Sequence, residues 1–114
     1  MYKDIYDRTF RFAINTIKFT SCLNKTISTS ILTNQIIRSA CSIGANLREA
    51  KQARTKKEFI SSFGIALKET EETIYWLEII KELELTSADE CDKLILESKE
   101  ISKILATIIL KSKK

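Results

Sequence analysis

The chain has 114 residues and a formal net charge of +4, with no proline, no histidine and two glycines. Its length suits one domain, spanning residues 1–114. Because glycine and proline shape hairpin turns and phosphate-binding loops, their scarcity disfavours β-sandwiches and nucleotide-binding α/β folds and favours long helices. The absence of histidine removes the usual general base and the commonest metal ligand. We therefore expect an all-α protein that is not an enzyme and has no catalytic residues, metal or cofactor.

Three cysteines, Cys22, Cys41 and Cys91, are odd in number and far apart. Their spacing predicts neither a disulfide framework nor a zinc site, so we expect reduced and mostly buried thiols. The first seven residues include Asp4 and Asp7 where a secretory signal has an apolar run, and no segment approaches the roughly 18 apolar residues that cross a membrane. These features predict a cytoplasmic protein with no membrane partner.

Apolar residues at three- and four-residue steps predict the first two helices. Helix one extends from Asp4 to about Leu23. Its predicted buried stripe comprises Ile5, Phe10, Ala13, Ile14 and Ile17. Hydroxyl-rich residues 25–30 predict a connection that ends in an N-cap near Thr29 or Ser30, and helix two follows to about Ala53. The predicted buried stripe of helix two comprises Ile36, Ala40, Ile43, Leu47 and Ala50.

Two segments of the capping-box type, Thr55-x-x-Glu58 and Ser87-x-x-Glu90, predict the starts of helices three and four. Helix three runs to about Leu83, and helix four runs into the basic C-terminal tail. The inward residues predicted for these helices are Phe59, Phe63, Ala66, Leu67, Thr70, Ile74, Leu77, Cys91, Leu94, Ile95, Ile101, Leu105 and Ile108. Since short connections make sequential helices antiparallel neighbours, the predicted fold is an all-α, antiparallel up-down-up-down four-helix bundle.

Antiparallel pairing of helices two and three predicts which of their residues lie at the same height. Gly44 faces the level of Gly64, and these two glycines inside helices are predicted to allow a close helix crossing. The alternative is two unrelated, tolerated glycines. The same pairing places Arg38 between Glu69 and Glu72, where a charged pair fixes the helix register, with a functional role for Arg38 as the alternative.

Charge is strongly segregated along the chain. The net charge is +3 over residues 1–35, +5 over 36–57, −8 over 58–100 and +4 over 101–114. The candidate nucleic-acid-binding residues are Arg48, Lys51, Arg54, Lys56 and Lys57. Such a cluster suits phosphate contacts, with a solvated turn as the alternative. The sequence has no helix-turn-helix, zinc-finger or RNA-recognition pattern, so shape and charge would govern any binding.

Tyr75 and Trp76 are neighbours on helix three, and adjacent helical side chains point about 100° apart. One narrow core stripe cannot accept both rings, which predicts that one of them lies at an oligomer contact. A wide core that accepts both rings is the alternative. Together with the acidic stretch, this pair also favours a second function, a scaffold that binds a separate protein.

Four sequence segments carry a family resemblance: RSACSIGANLREA at 38–50, EFI at 58–60, ALKE at 66–69 and YWLE at 75–78. They resemble the four-helix bundle family of 23S rRNA-intervening sequence proteins, closely over helices two and three and in length and pattern over helices one and four. Other members carry I-P-x-N-I-A-E-G where this chain has residues 43–50. The family is also similar to the accessory variability determinant of diversity-generating retroelements.

The resemblance implies a homo-oligomer, a ring of five bundles, without catalytic activity. It also implies nucleic-acid binding, with structured RNA as the leading ligand and DNA as another, or an accessory role beside a protein such as a reverse transcriptase. Asn46 and Glu49 are the polar residues that the family motif places on helix two. They are predicted to hydrogen-bond across a helix or subunit seam, with ligand contact as the alternative.

Overall fold

Four α-helices form the part of the chain that this computed structural model describes, residues 3–114. They are α1 (Lys3–Thr20), α2 (Ile27–Ala50), α3 (Lys56–Glu82) and α4 (Ala88–Ser112). Each helix packs against the next and α1 also packs against α4, whereas within these residues no Cα atoms of α1 and α3 lie within 8 Å of each other. The four helices therefore have α1 and α3 on a diagonal, which confirms the predicted all-α four-helix bundle.

The bundle measures 45 × 21 × 19 Å. Within residues 3–114, no helix combines the length and the apolar character that crossing a membrane requires. Residues 1 and 2 of the N-terminal segment considered above lie outside the described part of the chain.

The buried face of α1 differs from the predicted one. Ile5, Thr9, Phe12, Thr16 and Phe19 point into the core at steps of four and three residues. The Thr9 hydroxyl donates to the carbonyl of Ile5 and the Thr16 hydroxyl to that of Phe12, each at 2.8 Å. Because the helix itself satisfies these hydroxyls, threonine is buried there without an unpaired polar group.

Apart from Ile5, the predicted α1 stripe was wrong. Phe10 and Ile17 are each 41% exposed, and Ala13 and Ile14 are half-buried. These residues lie on the side of α1 that points outward beside α2, next to the core stripe rather than on it.

The predicted stripe of α2 is confirmed. Its members, Ile36, Ala40, Ile43, Leu47 and Ala50, are each at most 3% exposed. The inward residues predicted for α3 and α4 are also buried, except that Phe59, Leu67 and Ile95 are half-buried against the core. A buried hydrogen bond of 2.8 Å from the Thr73 hydroxyl to the Ser39 hydroxyl joins α3 to α2.

The N-cap of α2 lies three or four residues before the predicted one, which was Thr29 or Ser30. Thr26 is the N-cap: its side chain accepts a hydrogen bond from the Thr29 amide at 3.1 Å, and the Thr29 hydroxyl accepts one from the Thr26 amide at 2.8 Å. This reciprocal pair satisfies two amides that the first helical turn leaves free. Thr29 is thus the third residue of the helix, not its cap.

The two capping boxes that were predicted, at the starts of α3 and α4, are half formed. The Thr55 hydroxyl accepts from the Glu58 amide at 3.1 Å, and the Ser87 hydroxyl accepts from the Glu90 amide at 3.3 Å. The Glu58 carboxylate accepts a 3.4 Å hydrogen bond from the Arg54 amide, one residue before the cap. Both serine and threonine caps therefore start their helices as predicted, without the reciprocal glutamate contact.

Helix α3 ends in a Schellman turn around a left-handed residue. Glu84 has φ 54°, its amide donates to the carbonyl of Lys81 at 3.0 Å, and the Leu85 amide donates to that of Ile80 at 3.3 Å. Glycine usually occupies this position because an L side chain crowds the backbone there.

We expect Glu84→Gly to raise the free energy of unfolding by about 0.5–1 kcal/mol, which is a few degrees in Tm for a domain of this size. Thermal unfolding followed by circular dichroism measures the change. The matched control is Glu82→Gly, the last residue of α3, where glycine is expected to cost up to about 1 kcal/mol. Equal effects of the two substitutions would contradict the assignment of left-handed strain to Glu84.

The predicted Gly44–Gly64 crossing was wrong. A Cβ built on Gly44 would lie 3.4 Å from the Thr9 hydroxyl oxygen and 3.8 Å from the Phe10 amide nitrogen, so Gly44 faces α1. A Cβ on Gly64 would have no neighbour within 4 Å. Gly44 therefore permits close contact between α2 and α1, and Gly64 lies open on α3.

Candidate nucleic-acid interface

All five candidate nucleic-acid-binding residues are exposed around the connection between α2 and α3. Two of them lie along the α1 side: the Arg48 guanidinium is 5.3 Å from the centre of the Phe10 ring, and the Lys51 ammonium is 4.2 Å from that of Tyr6. Cation–π contacts of this kind hold the two side chains against α1 while their charges remain in solvent. Arg54, Lys56 and Lys57 have no aromatic contact of this type among the described residues.

The C-terminal tail joins this cluster, which the sequence reasoning did not foresee. The Lys56 ammonium donates to the backbone carbonyl of Lys114 at 3.2 Å, so the end of α4 lies beside the start of α3. Lys111 and Lys113 are exposed at the same end. The up-down-up-down topology already implied this meeting, since the second and fourth helices end at the same end of the bundle.

We call this surface the basic end; it comprises Arg54, Lys56, Lys57, Lys111, Lys113 and Lys114. Acids also border it: Glu49 and Glu58 line a depression of about 340 Å³ between α2 and α3, and Asp4 of α1 lines another that includes Lys111. The opposite end of the bundle carries five acids, Glu82, Glu84, Asp89, Glu90 and Asp92, against three lysines, Lys25, Lys81 and Lys93. The charge segregation along the chain thus becomes a segregation along the bundle axis.

Arg38 forms the predicted ion pair with α3. Its guanidinium donates to Glu69 at 3.2 Å and to Glu72, and these contacts raise the pKa of Arg38, mainly through the hydrogen bond to Glu72. The Trp76 indole N–H donates to the same Glu72 carboxylate at 3.1 Å. Arg38, Glu72 and Trp76 therefore form one hydrogen-bonded network across the α2–α3 seam, in which Glu69 and Glu72 hold a structural cation.

Asn46 and Glu49 do not form the predicted seam within the bundle. The Asn46 side-chain amide donates to the carbonyl of Ser42 at 2.7 Å, inside α2 itself. Glu49 is exposed beside the basic end. A contact of either residue with another subunit stays a prediction.

Tyr75 and Trp76 divide as the helix geometry requires. Trp76 is half-buried and packs against the core, whereas Tyr75 is 57% exposed; their rings meet edge-on with centroids 5.1 Å apart. Tyr75 is therefore the member of the pair that is available for an oligomer contact, which stays a prediction.

A cleft of about 830 Å³ separates parts of α1 and α4. Arg8 crosses it to Glu97 at 2.7 Å and to Glu100 at 3.0 Å, and these hydrogen bonds raise the pKa of Arg8. These ion pairs hold α1 and α4 together, and they pair the charges of Arg8, Glu97 and Glu100 with one another at this part of the cleft.

Only one of the three thiols is fully buried. Cys91 lies in the core, where burial raises its pKa, Cys41 is half-buried and Cys22 is exposed. The expectation of mostly buried thiols was therefore wrong for Cys22. Within residues 3–114, no three cysteine, aspartate or glutamate side chains are grouped to hold a metal ion.

The fold and these surfaces define a small antiparallel four-helix bundle with oppositely charged ends. Residues 2–107 match the family model of the 23S rRNA-intervening sequence protein. The chain therefore belongs to the 23S rRNA-intervening sequence protein family, which confirms the resemblance seen in α2 and α3.

A solved structure gives the same result. The chain is similar to a protein of unknown function from the S23 ribosomal protein family of Bacteroides thetaiotaomicron, with 36% sequence identity and a TM-score of 0.85. The alignment covers 92% of this chain and 97% of that one, so the similarity extends over the whole bundle. No curated protein matches the chain.

Proposed function

We propose that this protein is a non-enzymatic homo-oligomer, a ring of five bundles, that binds nucleic acid through its basic end, with structured RNA as the preferred ligand. The observation that carries the proposal is the meeting of the α4 tail with the α2–α3 connection, where Lys56 contacts the backbone of Lys114. Two basic segments that are distant in sequence thus form one surface.

The charge arrangement supports phosphate contacts. The cations of the basic end are exposed, and neither Arg54, Lys56, Lys57 nor the tail lysines form an ion pair within the described residues. Neutralising phosphates with such side chains releases counterions, which makes binding strong at low salt and steeply salt-dependent. A ring would present the basic end once per subunit, so the contacts of several bundles would add on one polyanion.

The preference for structured RNA rests on the kinds of side chain that form the basic end. The basic end consists of flexible lysines and one arginine on helix ends, which suit the fixed phosphate spacing of a folded polyanion more than base edges. Binding through shape and charge is therefore expected to favour double-stranded over single-stranded ligands and to show little sequence preference.

The second candidate function is a scaffold or accessory subunit for a separate protein. Exposed Tyr75 beside the acids of α3 favours it, because aromatic residues are common at the centres of protein interfaces. A chain that binds no nucleic acid at low salt would favour this candidate over the first.

Fluorescence anisotropy with a labelled RNA hairpin, a DNA duplex of equal length and a single strand tests the proposal. At about 50 mM salt we expect binding to the hairpin, and between about 50 and 200 mM the affinity should fall by a factor of about 10³ or more if six or more phosphates are contacted. No binding at the lower salt concentration would contradict nucleic-acid binding.

A further inference from the structure

A groove runs along the seam between α1 and α2. It has two sections, of about 320 and 450 Å³, and Ile17 of α1 lines both of them. The α2 wall of the groove reaches from Thr29 to Arg48, which is about 29 Å along a helix. We call the two sections together the α1–α2 groove.

The first section of the groove is apolar and lies beside exposed apolar side chains. Phe10 and Ile17, each 41% exposed, line its α1 side, and Gly44 and Ala45 on the α2 side are too small to cover them. Contiguous apolar surface with a polar border is typical of a site that binds another protein. This section can therefore accept the apolar side of a partner.

Hydroxyl-bearing residues line much of the second section, together with half-buried Ile37. The Thr20 hydroxyl donates to the carbonyl of Ile17 at 2.8 Å, and the Ser21 hydroxyl donates to that of Lys18 at 2.7 Å. Because these hydroxyls use their protons within α1, they do not require polar partners from a bound molecule. The second section can therefore continue the contact made by the first.

The charge around the groove is positive. Within the described part of the chain, no acid lines either section, whereas Arg48 lines the first and Lys25 the second. The acids of α1 and α2 line depressions toward α4 or α3 instead; they are Asp4, Asp7 and Glu49. A negatively charged partner therefore meets cations and no acid in this groove.

The cations beside the groove are available to a partner. Over the described residues, neither Arg48, Lys51 nor Lys25 forms an ion pair. The Arg48 guanidinium lies over the Phe10 ring. The Lys51 ammonium lies over the Tyr6 ring. Aromatic rings, and not carboxylates, thus hold two cations beside the first section, and their charges remain unneutralised.

An apolar groove with cations at both ends favours one kind of occupant. A helix packs into the seam between two others through an apolar stripe at positions i, i+3, i+4 and i+7. Acids beside that stripe would meet Arg48 and Lys51 at one end of the groove and Lys25 at the other, and such complementarity selects partners. Nucleic acid fits less well, because its phosphates would lie on apolar side chains between these ends.

We infer that the α1–α2 groove binds an acidic amphipathic helix of a separate protein, about 20 residues long. The apolar stripe of that helix covers Phe10, Ile14 and Ile17, and its acids lie beside Arg48 and Lys25. The groove shares no residue with the basic end, so its occupancy is independent of nucleic-acid binding there.

A displayed peptide library tests the nature of the partner. Each peptide has about 20 residues, with leucine at the stripe positions and glutamate, lysine or serine at random elsewhere. Selection on the unchanged protein at about 0.15 M salt, where the Debye length is about 8 Å, is expected to enrich peptides with glutamate near both ends of the stripe. Enrichment of lysine, or no enrichment, would overturn the inference.

The enriched peptide is then labelled, and fluorescence anisotropy measures its affinity for matched variants. Reversing the charges in Arg48→Glu with Lys25→Glu is expected to weaken binding by more than about tenfold. The control, Lys99→Glu with Lys103→Glu, makes the same change in net charge at exposed residues of α4 and is expected to retain the affinity. Equal losses in the two double variants would contradict binding in the groove.

A second pair of variants tests the apolar contact without a change in charge. Ile17→Ser is expected to weaken peptide binding by more than about tenfold. Leu96→Ser alters a side chain that is 61% exposed on α4, outside the groove, and is expected to have no effect. Circular dichroism verifies that all variants are folded. Equal peptide affinities of the two serine variants would overturn the inference.

The Ile17→Ser variant also identifies other occupants of the groove. If the unchanged protein is an oligomer and this variant has a smaller mass by light scattering, a second copy occupies the groove. If this variant loses binding to the RNA hairpin, the groove belongs to nucleic acid. Either result overturns the inference, whereas weakened peptide binding with unchanged mass and RNA binding supports it. An unchanged protein that binds the peptide but no RNA contradicts the proposed function alone.

Discussion

Replacing Phe12 by alanine is expected to lower the free energy of unfolding by about 3–5 kcal/mol, a large part of the about 5–15 kcal/mol that stabilises a typical domain. Phe12 is 1% exposed on the inward stripe of α1, where it packs among core residues of the other helices. Removing its ring loses the transfer free energy of the side chain and leaves a cavity that the four helices only partly close. Denaturation by urea, followed by circular dichroism, measures the loss.

The matched control is Phe10→Ala, two residues away on the outer side of the same helix. Because Phe10 is 41% exposed, its loss is expected to cost less than about 1 kcal/mol in the isolated bundle. Both variants are compared at a protein concentration at which light scattering shows single chains, so that association does not contribute. Similar costs for Phe10 and Phe12 would contradict the burial of α1 described above.

Reversing two charges at the basic end is expected to abolish most RNA binding. In Lys56→Glu with Lys57→Glu, each bundle loses two cations and gains two acids where the α4 tail meets α3. We expect the affinity for an RNA hairpin to fall by more than about 100-fold at low salt and the salt dependence to become shallower by about two phosphate contacts per bound bundle. Anisotropy titrations at several salt concentrations give both quantities.

The matched control carries the same change in net charge at the opposite end of the bundle. Lys25→Glu with Lys93→Glu alters two exposed lysines near the connection of α1 to α2 and the start of α4. If the basic end carries the binding, this control loses little affinity. Equal losses in the two double variants would mean that binding follows net charge alone and would contradict a localised site.

The sequence was sufficient for α2 over residues 36–50, where both positions of the seven-residue repeat are apolar and the positions between them are polar or small, except for half-buried Ile37. It was insufficient for α1, where apolar residues fill two adjacent stripes. Periodicity cannot tell which of two neighbouring apolar stripes faces the core. The stripe that does face the core includes Thr9 and Thr16, which look polar in the sequence although the helix backbone satisfies their hydroxyls. Phe10 and Ile17, which were predicted to lie in the core, form the outer of the two apolar stripes.

Gly44 shows a second feature that the sequence could not predict, the direction in which a residue faces. Counting residues away from a turn gives the height of a residue along the bundle, but not the side of the helix on which it lies. Arg38 was placed correctly because a long side chain reaches its glutamates over a range of angles. A glycine has no side chain that could reach across. At the height at which Gly44 was predicted to meet Gly64 of α3, it faces Thr9 of α1 instead.

The separation of charge along a bundle 45 Å long bears on how it approaches a polyanion. At physiological ionic strength the Debye length is about 8 Å, so phosphates in contact with the basic end are screened from the acids at the far end by several such lengths. At about 0.01 M salt the Debye length is about 30 Å, and the distant acids then act on the same phosphates. The bundle would therefore approach a polyanion as a cation at physiological salt and as an axial dipole in dilute buffer, and the dipole would align it end-on before contact.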